Sequence, residues 1–237
     1  MNSIRAIILA GVSQLVITTA FAAPENAVIR ANAAAGVAAI QACIAPLANP
    51  FHESRAYAMM HLAIHDALNA IDRKYQPYAY DKKAEPGTSA DAAVAAAAYH
   101  VMSPAIQKLP AEILPNEGCV KNGNAVVEAA YVLALAVIPD GPAKTQGIAL
   151  GKATAAAVLA KRASDHADDA GPYLNKTCPP AGPPGAYQCT PDRPFVAFEK
   201  WANVTPFVMQ DKAQFRPVPP YKVDDAKFKA DLEEVKK

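Results

Sequence analysis

Almost no net charge separates the cationic from the anionic side chains: 23 Lys and Arg stand against 22 Asp and Glu, a formal +1. A chain this balanced lacks the electrostatic footprint that nucleic acid or an anionic membrane surface requires. The sequence also lacks an apolar run of the ~20 residues needed to span a bilayer. No pair of its 4 cysteines is spaced Cys-x-x-Cys, so no zinc knuckle or thioredoxin-type redox pair is written in it. Gly-x-Ser-x-Gly is absent, which excludes the nucleophile elbow of the α/β-hydrolases. No glycine-rich loop of the P-loop or dinucleotide type precedes a helix.

The N-terminus reads as an address. Arg5 is followed by Ile7, Ile8, Leu9, Val12, Leu15, Val16 and Ile17, then by Ala20-Phe21-Ala22. That is a positive n-region, a short apolar h-region and small residues at the positions a signal peptidase reads. The sequence therefore predicts a signal peptide over 1–22 and a mature chain starting at Ala23 or Pro24, periplasmic or secreted, with no membrane span after cleavage. Loss of Arg5 leaves the mature chain neutral. An uncleaved anchor is the alternative.

Export favours disulfides. Cys178 and Cys189 flank a Pro/Gly-rich loop, and a bridge there would staple a segment with little helix of its own. Cys43 and Cys119 would then pair by elimination, although four cysteines allow three connectivities.

Alanine and a 3.6-residue apolar period dominate residues 23–170, whereas residues 171–237 are rich in proline. The fold class predicted is all-α: a helical bundle over 23–170, crossed by a long Pro-rich irregular strap that opens 171–237 and ends in the start of a further helix, all in one domain. Helices are predicted over 27–47, 53–73, from Thr88 or Ser89 to about 102, over 124–138, from Pro142 to about 164, and over 224–237. Thr88 with Asp91 resembles a capping box, and Pro104 should break or kink the third helix. Gly147, Gly151 and Ala155 form a small-residue stripe that would let a neighbouring helix approach closely. The strap carries Tyr173, Tyr187, Phe195, Phe198, Trp201, Phe207 and Phe215, and aromatics at that density should be buried over the helices.

Candidate chemistry is sparse. His61 and His65 share a helix face at zinc-pair spacing, but the zincin motif needs Glu after the first histidine, where Leu62 stands. A histidine pair in a core or interface is the other reading. Asp66 is expected to meet Arg55, Asn69 or Arg73 across helical turns. His52, His100 and His166 are isolated in the sequence. No catalytic, cofactor-binding or metal residue follows from these patterns beyond the His61/His65 candidate, which would make the chain a zinc hydrolase.

The run from Arg55 through Met59-Met60-His61-Leu62-Ala63-Ile64-His65-Asp66-Ala67-Leu68-Asn69 to Ile71 resembles the N-terminal region of bacterial vanadium-dependent haloperoxidase-like proteins, of the type-2 phosphatidic acid phosphatase superfamily. Tyr75-Gln76-Pro77-Tyr78, Gly185-Ala186-Tyr187 with Thr190-Pro191, Trp201, Pro206-Phe207-Val208 and Gln214-Phe215-Arg216-Pro217 with Pro219-Pro220 extend the likeness in order, as does Glu233-Glu234-Val235-Lys236. The resemblance implies a helical bundle. It also implies a vanadate or phosphate site made by a Lys, two Arg and two His, marked by Arg-Pro, Pro-Ser-Gly-His and Ser-Arg elements. Pro-Ser-Gly-His does not occur here, the one Ser-Arg pair, Ser54-Arg55, stands in the N-terminal region and not after such an element, and Lys212 lies too close to Arg216-Pro217 to supply the first element. On this reading the chain matches the family's N-terminal half and ends before the catalytic one. It would be inactive alone, with vanadate or phosphate expected only in a complete family member. Its partners would be a C-terminal half or further copies of itself. The competing expectation is a non-enzymatic periplasmic helical protein with a binding or structural role.

Overall fold

The computed structural model describes residues 26–44, 50–108, 117–169, 174–175, 177–183, 185–192 and 194–237. The predicted signal segment at 1–22, the predicted mature N-terminus at 23–24, residues 45–47 of the first predicted helix and Tyr173 of the strap lie outside the described residues.

Asn26 starts the bundle: its side-chain oxygen accepts the Val28 N–H at 2.8 Å and caps helix α1, Ala27–Gln41. The helix stops short of the predicted 47, because Cys43 takes φ 61°, a left-handed conformation that no further helical turn tolerates. Pro50 opens α2 (Pro50–Ile71), where the sequence had suggested a start at 53. A first-turn proline forfeits nothing, since the N–H groups there have no helical acceptor. Helix α3 spans Ala90–Gln107. Its cap is Ser89, whose hydroxyl accepts the Ala92 N–H at 3.3 Å. Thr88 does not form the capping box; its hydroxyl donates to the Glu85 carbonyl at 2.6 Å. Pro104 lies inside α3, which continues three residues past it. Helix α4 runs from Glu117 to Ala136, starting a full two turns before the predicted 124, and α5 from Pro142 to Lys161.

Helix α3 is the axle of the bundle. Helix α5 packs along it most extensively, α2 and α4 flank it, and α1 lies against α4. The α3–α5 contact is a seam of small residues. A Cβ placed on Gly147 would sit 2.5 Å from the Ser89 carbonyl oxygen, and one on Gly151 only 2.3 Å from the Ala93 carbonyl oxygen. Both glycines are thus required for backbone to meet backbone, as their spacing predicted. The core behind the seam is built from alanines such as Ala63, Ala67, Ala96 and Ala97, with Met59, Met60, Val94, Val101, Ile106 and Val158 as its large members. A disulfide joins Cys43, just past α1, to Cys119 in the first turn of α4, with 5.5 Å between Cα atoms. It closes 76 residues of chain, worth about 4 kcal/mol if its effect is wholly on unfolded-chain entropy.

The second disulfide, Cys178–Cys189, staples the strap. Among the described residues the fold is all-α apart from one antiparallel contact of two residues per strand, where Leu174 and Asn175 (β1) face Ala197 and Val196 (β2). The strap aromatics divide. Phe198 is 4% exposed and packs edge-on against Phe51 and Trp201, with ring centroids 4.8 and 5.4 Å away. Tyr187 and Phe215, by contrast, are 60% and 76% exposed. Phe207 is half-buried, between Tyr78 and the Arg162 guanidinium. A 3₁₀ turn, Trp201–Asn203, precedes the final helix α6, Ala226–Val235. Asp225 caps α6 by accepting the Lys227 N–H at 2.8 Å. Helix α6 packs along none of α1–α5.

The seam gives an opposed pair of mutations. Gly151→Ala adds helix propensity but drives a methyl into the α3 backbone, so it is expected to destabilise by about 1–3 kcal/mol. Gly36→Ala meets only the Tyr57 hydroxyl at 3.6 Å, and is expected to be neutral or stabilising by up to about 1 kcal/mol. Urea denaturation of the two variants checks the contrast; equal effects would refute the seam.

Candidate functional site

The polar residues of α2 are spent on anchoring other segments. Asp66 is fully buried and accepts three backbone N–H groups, from Tyr78 at 2.7 Å, Ala79 at 2.7 Å and Tyr80 at 2.8 Å. Asn69 accepts from the N–H groups of Lys74 and Tyr75 at 3.0 and 2.9 Å and donates to the Tyr75 carbonyl at 2.8 Å. Together they wind the segment after α2 back onto the helix. This corrects the expected network of Arg55, Asp66, Asn69 and Arg73: Arg73 pairs with Asp81 at 2.6 Å, and Arg55 reaches Asp165. Local helical spacing put those four residues on neighbouring turns, but unsatisfied backbone donors claimed the carboxylate first.

The two candidate metal histidines turn to different neighbours. His61 Nε2 lies 2.9 Å from the Asn32 side-chain oxygen, on α1. His65 Nε2 lies 3.1 Å from the Gln76 carbonyl. A carbonyl only accepts, so Nε2 of His65 is the donor in this contact. Among the described residues no group of three or more His, Cys, Asp or Glu is arranged to hold a metal ion.

A polar joint fastens the strap. Asp165, 5% exposed, binds Arg55 through two hydrogen bonds of 2.8 and 3.0 Å and Arg162 through one of 2.9 Å. Arg162, also buried, donates to the strap carbonyls of Thr205 and Pro206 and lies 4.0 Å above the Phe207 ring. Burial alone would raise the Asp165 carboxyl, but the hydrogen bond and charge of Arg55, helped by the Ala167 N–H and Arg162, hold it below the ordinary range. Beside the joint a cavity of about 80 Å³ is lined by residues that include His52, Glu53, Tyr57 and Asp168. That is far below the ~300–1,000 Å³ of organic-ligand sites. His52 packs among Phe198 and Trp201, at 5.9 and 4.9 Å between centroids. Burial first, and then the nearby Arg55 charge, lower its pKa from 6.5 to about 4.

The larger concavity lies across the bundle from the strap. A groove of about 940 Å³ opens between α1, α3 and α4, walled by Val94, Ala98, Met102, Val127, Leu133 and Val137 among others. Tyr99 of α3 and Tyr131 of α4 stack within it, ring centroids 4.6 Å apart and 11° from parallel. Leu133 and Val137 are 69% and 77% exposed. Arg30 and Asp91 are its charged lining residues, one of each sign. Such a wall offers no nucleophile beside a base and no oxyanion cradle; what it can do is bury apolar surface. The groove escaped the sequence reading, although its trace is there: residues 125–138 are apolar on every face except at Glu128.

Comparison of the chain with family models, with curated proteins and with solved structures returned no match. Among the described residues, no helix is long and apolar enough to cross a membrane.

His52 fixes a pH dependence with a definite sign. The native state holds its imidazole neutral down to pH about 4, whereas the unfolded chain protonates it near 6.5. Between those values the unfolded state binds more protons, so stability is complete above pH 6.5 and falls as the pH drops toward 4. Depression of the Asp165 carboxyl acts in the same direction at still lower pH. Thermal melts between pH 7.5 and 4.5 should show this loss in the wild type and a shallower slope in His52→Phe; parallel slopes would contradict it.

Proposed function

We propose that this chain is an exported, periplasmic or secreted protein that resembles the N-terminal half of a vanadium-dependent haloperoxidase or acid phosphatase and serves as a binding and scaffolding unit, without oxyanion chemistry of its own. The observation that carries this reading is the fate of the paired arginines. A vanadate or phosphate site needs uncommitted cations converging on the anion. Arg55 and Arg162, which do converge, are taken up by Asp165 and by the strap carbonyls. An oxyanion entering there would have to displace a buried carboxylate held by five hydrogen bonds or ion contacts of 3.1 Å or less. Two disulfides, Cys43–Cys119 and Cys178–Cys189, support an oxidising destination. The sequence at 1–22 supplies the route.

A second reading is a helical binding protein unrelated to oxyanion enzymes. The groove between α1, α3 and α4 favours it, because that surface is apolar whatever the ancestry of the chain.

Both readings predict that the purified mature chain neither binds orthovanadate in the micromolar range nor oxidises bromide nor hydrolyses a phosphate ester. Titration calorimetry and turnover assays against a buffer blank test this. Micromolar vanadate binding would overturn the proposal, as would halide oxidation above the blank.

A further inference from the structure

The strap meets the five-helix bundle over a small seat. Phe198 and Trp201 close over the first turn of α2, where ring centroids lie 4.8 Å apart for Phe198 and Phe51 and 4.9 Å apart for Trp201 and His52. One helical turn on, Arg55 enters the polar joint with Asp165 and Arg162. Arg162 holds the strap by the carbonyls of Thr205 and Pro206, and the Thr205 N–H donates to the Asp165 backbone carbonyl at 2.9 Å. Phe207 adds its contact with Tyr78. For the rest the strap is tied to itself, by Cys178–Cys189 and by β1 on β2. Among the described residues neither strand, nor α6, packs along α1–α5.

Charge at this seat is finely balanced. Around His52 and the cavity beside it lie Glu53 and Arg55 of α2, Lys108 at the end of α3, and Arg162, Asp165 and Asp168 from the turn after α5. Among the described residues that is three cations against three carboxylates, and the strap brings only the rings of Phe198 and Trp201. Tyr57 keeps its hydroxyl proton, since burial and Glu53 push it up to about 12. His166, next to Asp165 in the chain, is exposed and pairs with Asp169. A proton on His52 adds a fourth cation beneath the strap rings. A proton on Asp165 leaves Arg55 and Arg162 without the carboxylate they share. Lifting the strap relieves both, because water then reaches the charges.

We propose that the strap is an acid-released latch: protonation of His52 and Asp165 frees residues 198–207 from α2 and from Arg162 while α1–α5 stay folded. The bundle outlasts the latch because its central seam sets Gly147 and Gly151 against Ala92, Ala93, Ala96 and Ala97, which carry nothing to titrate. The Cys43–Cys119 disulfide also ties α1 to α4 at any pH. The closed seat excludes the proton: burial, and then the Arg55 charge, lower His52 to about 4, whereas the released side chain titrates near 6.5. Closure is therefore fully favoured above pH 6.5, and its equilibrium constant falls about a hundredfold by pH 4. Asp165, also held below its ordinary range, adds to the loss at still lower pH. This inference does not rest on the haloperoxidase likeness, and vanadate binding by the chain would leave it standing.

Trp201 is the one tryptophan of the chain and lies in the latch, so its fluorescence reads the strap while far-ultraviolet circular dichroism reads the helices. The test is an acid titration of the full mature chain from about pH 7.5 to about pH 3, followed by both signals. Trp201 emission should shift to the red, and its quenching by acrylamide should rise, about one pH unit or more above the point where helicity is lost. His52→Gln, which removes the titrating ring, should move the Trp201 transition down by about one unit. Should His52→Gln lose helicity already at neutral pH, His52→Phe takes its place, since it keeps a ring under the strap. Coincident loss of the two signals in the wild type would overturn the proposal, because strap and bundle would then unfold as one. A Trp201 transition at the same pH in the wild type and the His52 variant would overturn it as well.

Discussion

The approach of α3 and α5 at Gly147 and Gly151 is the contact on which the rest of the fold depends. With 2.3–2.5 Å between a would-be Cβ and the opposing carbonyl oxygens, the two helices meet backbone to backbone. That closeness dictates what fits in the seam: Ala92, Ala93, Ala96 and Ala97 of α3 face the two glycines, and the large buried side chains are Met59 and Met60 of α2 with Val94, Val101 and Ile106 of α3. An alanine-rich interior gains many short dispersion contacts but buries little apolar area per residue. The disulfide between α1 and α4 offsets part of that difference, and the joint of Arg55, Asp165 and Arg162 fixes the strap in place.

Those ties also account for where the polar residues of the bundle are committed. A buried ion pair adds little net stability, but removing one partner strands a charge. Here the arrangement leaves few hydrogen-bonding positions open, with Asp165 held by two arginines and a backbone N–H, and Arg162 by two strap carbonyls. Asp66 and Asn69 do the same for the segment after α2. Each is a fastening point for irregular chain, which has no ladder of its own to satisfy its N–H and C=O groups.

Elements set by local chemistry were legible in the sequence. Pro142 at the start of α5, the glycine stripe of that helix and both cysteine pairs lie where spacing placed them, whereas the third helix is capped by Ser89 and not by the Thr88 of the expected capping box. Apart from shifted helix ends and the cap at Ser89, the departures turn on contacts outside the local helical pattern. Arg55 meets Asp165 at a separation of 110 residues, which no helical periodicity encodes. Asp66 was assigned to side chains on its own helix because the three backbone donors at 78–80 are invisible as a pattern. The strap aromatics were expected to be buried as a class, yet Tyr187 and Phe215 are exposed, since proline-stiffened chain follows its own course past the helices. The groove was missed for a related reason: alanine and valine read alike in a core helix and in an open wall.

The seam of α3 and α5 is the contact that hydrogen exchange tests most directly. Amides of α3 and α5 should open only with global unfolding, as the best-protected core elements do, while those of α6, which packs along none of α1–α5, should exchange far faster. Exchange in α3 and α5 as fast as in α6 would contradict the account.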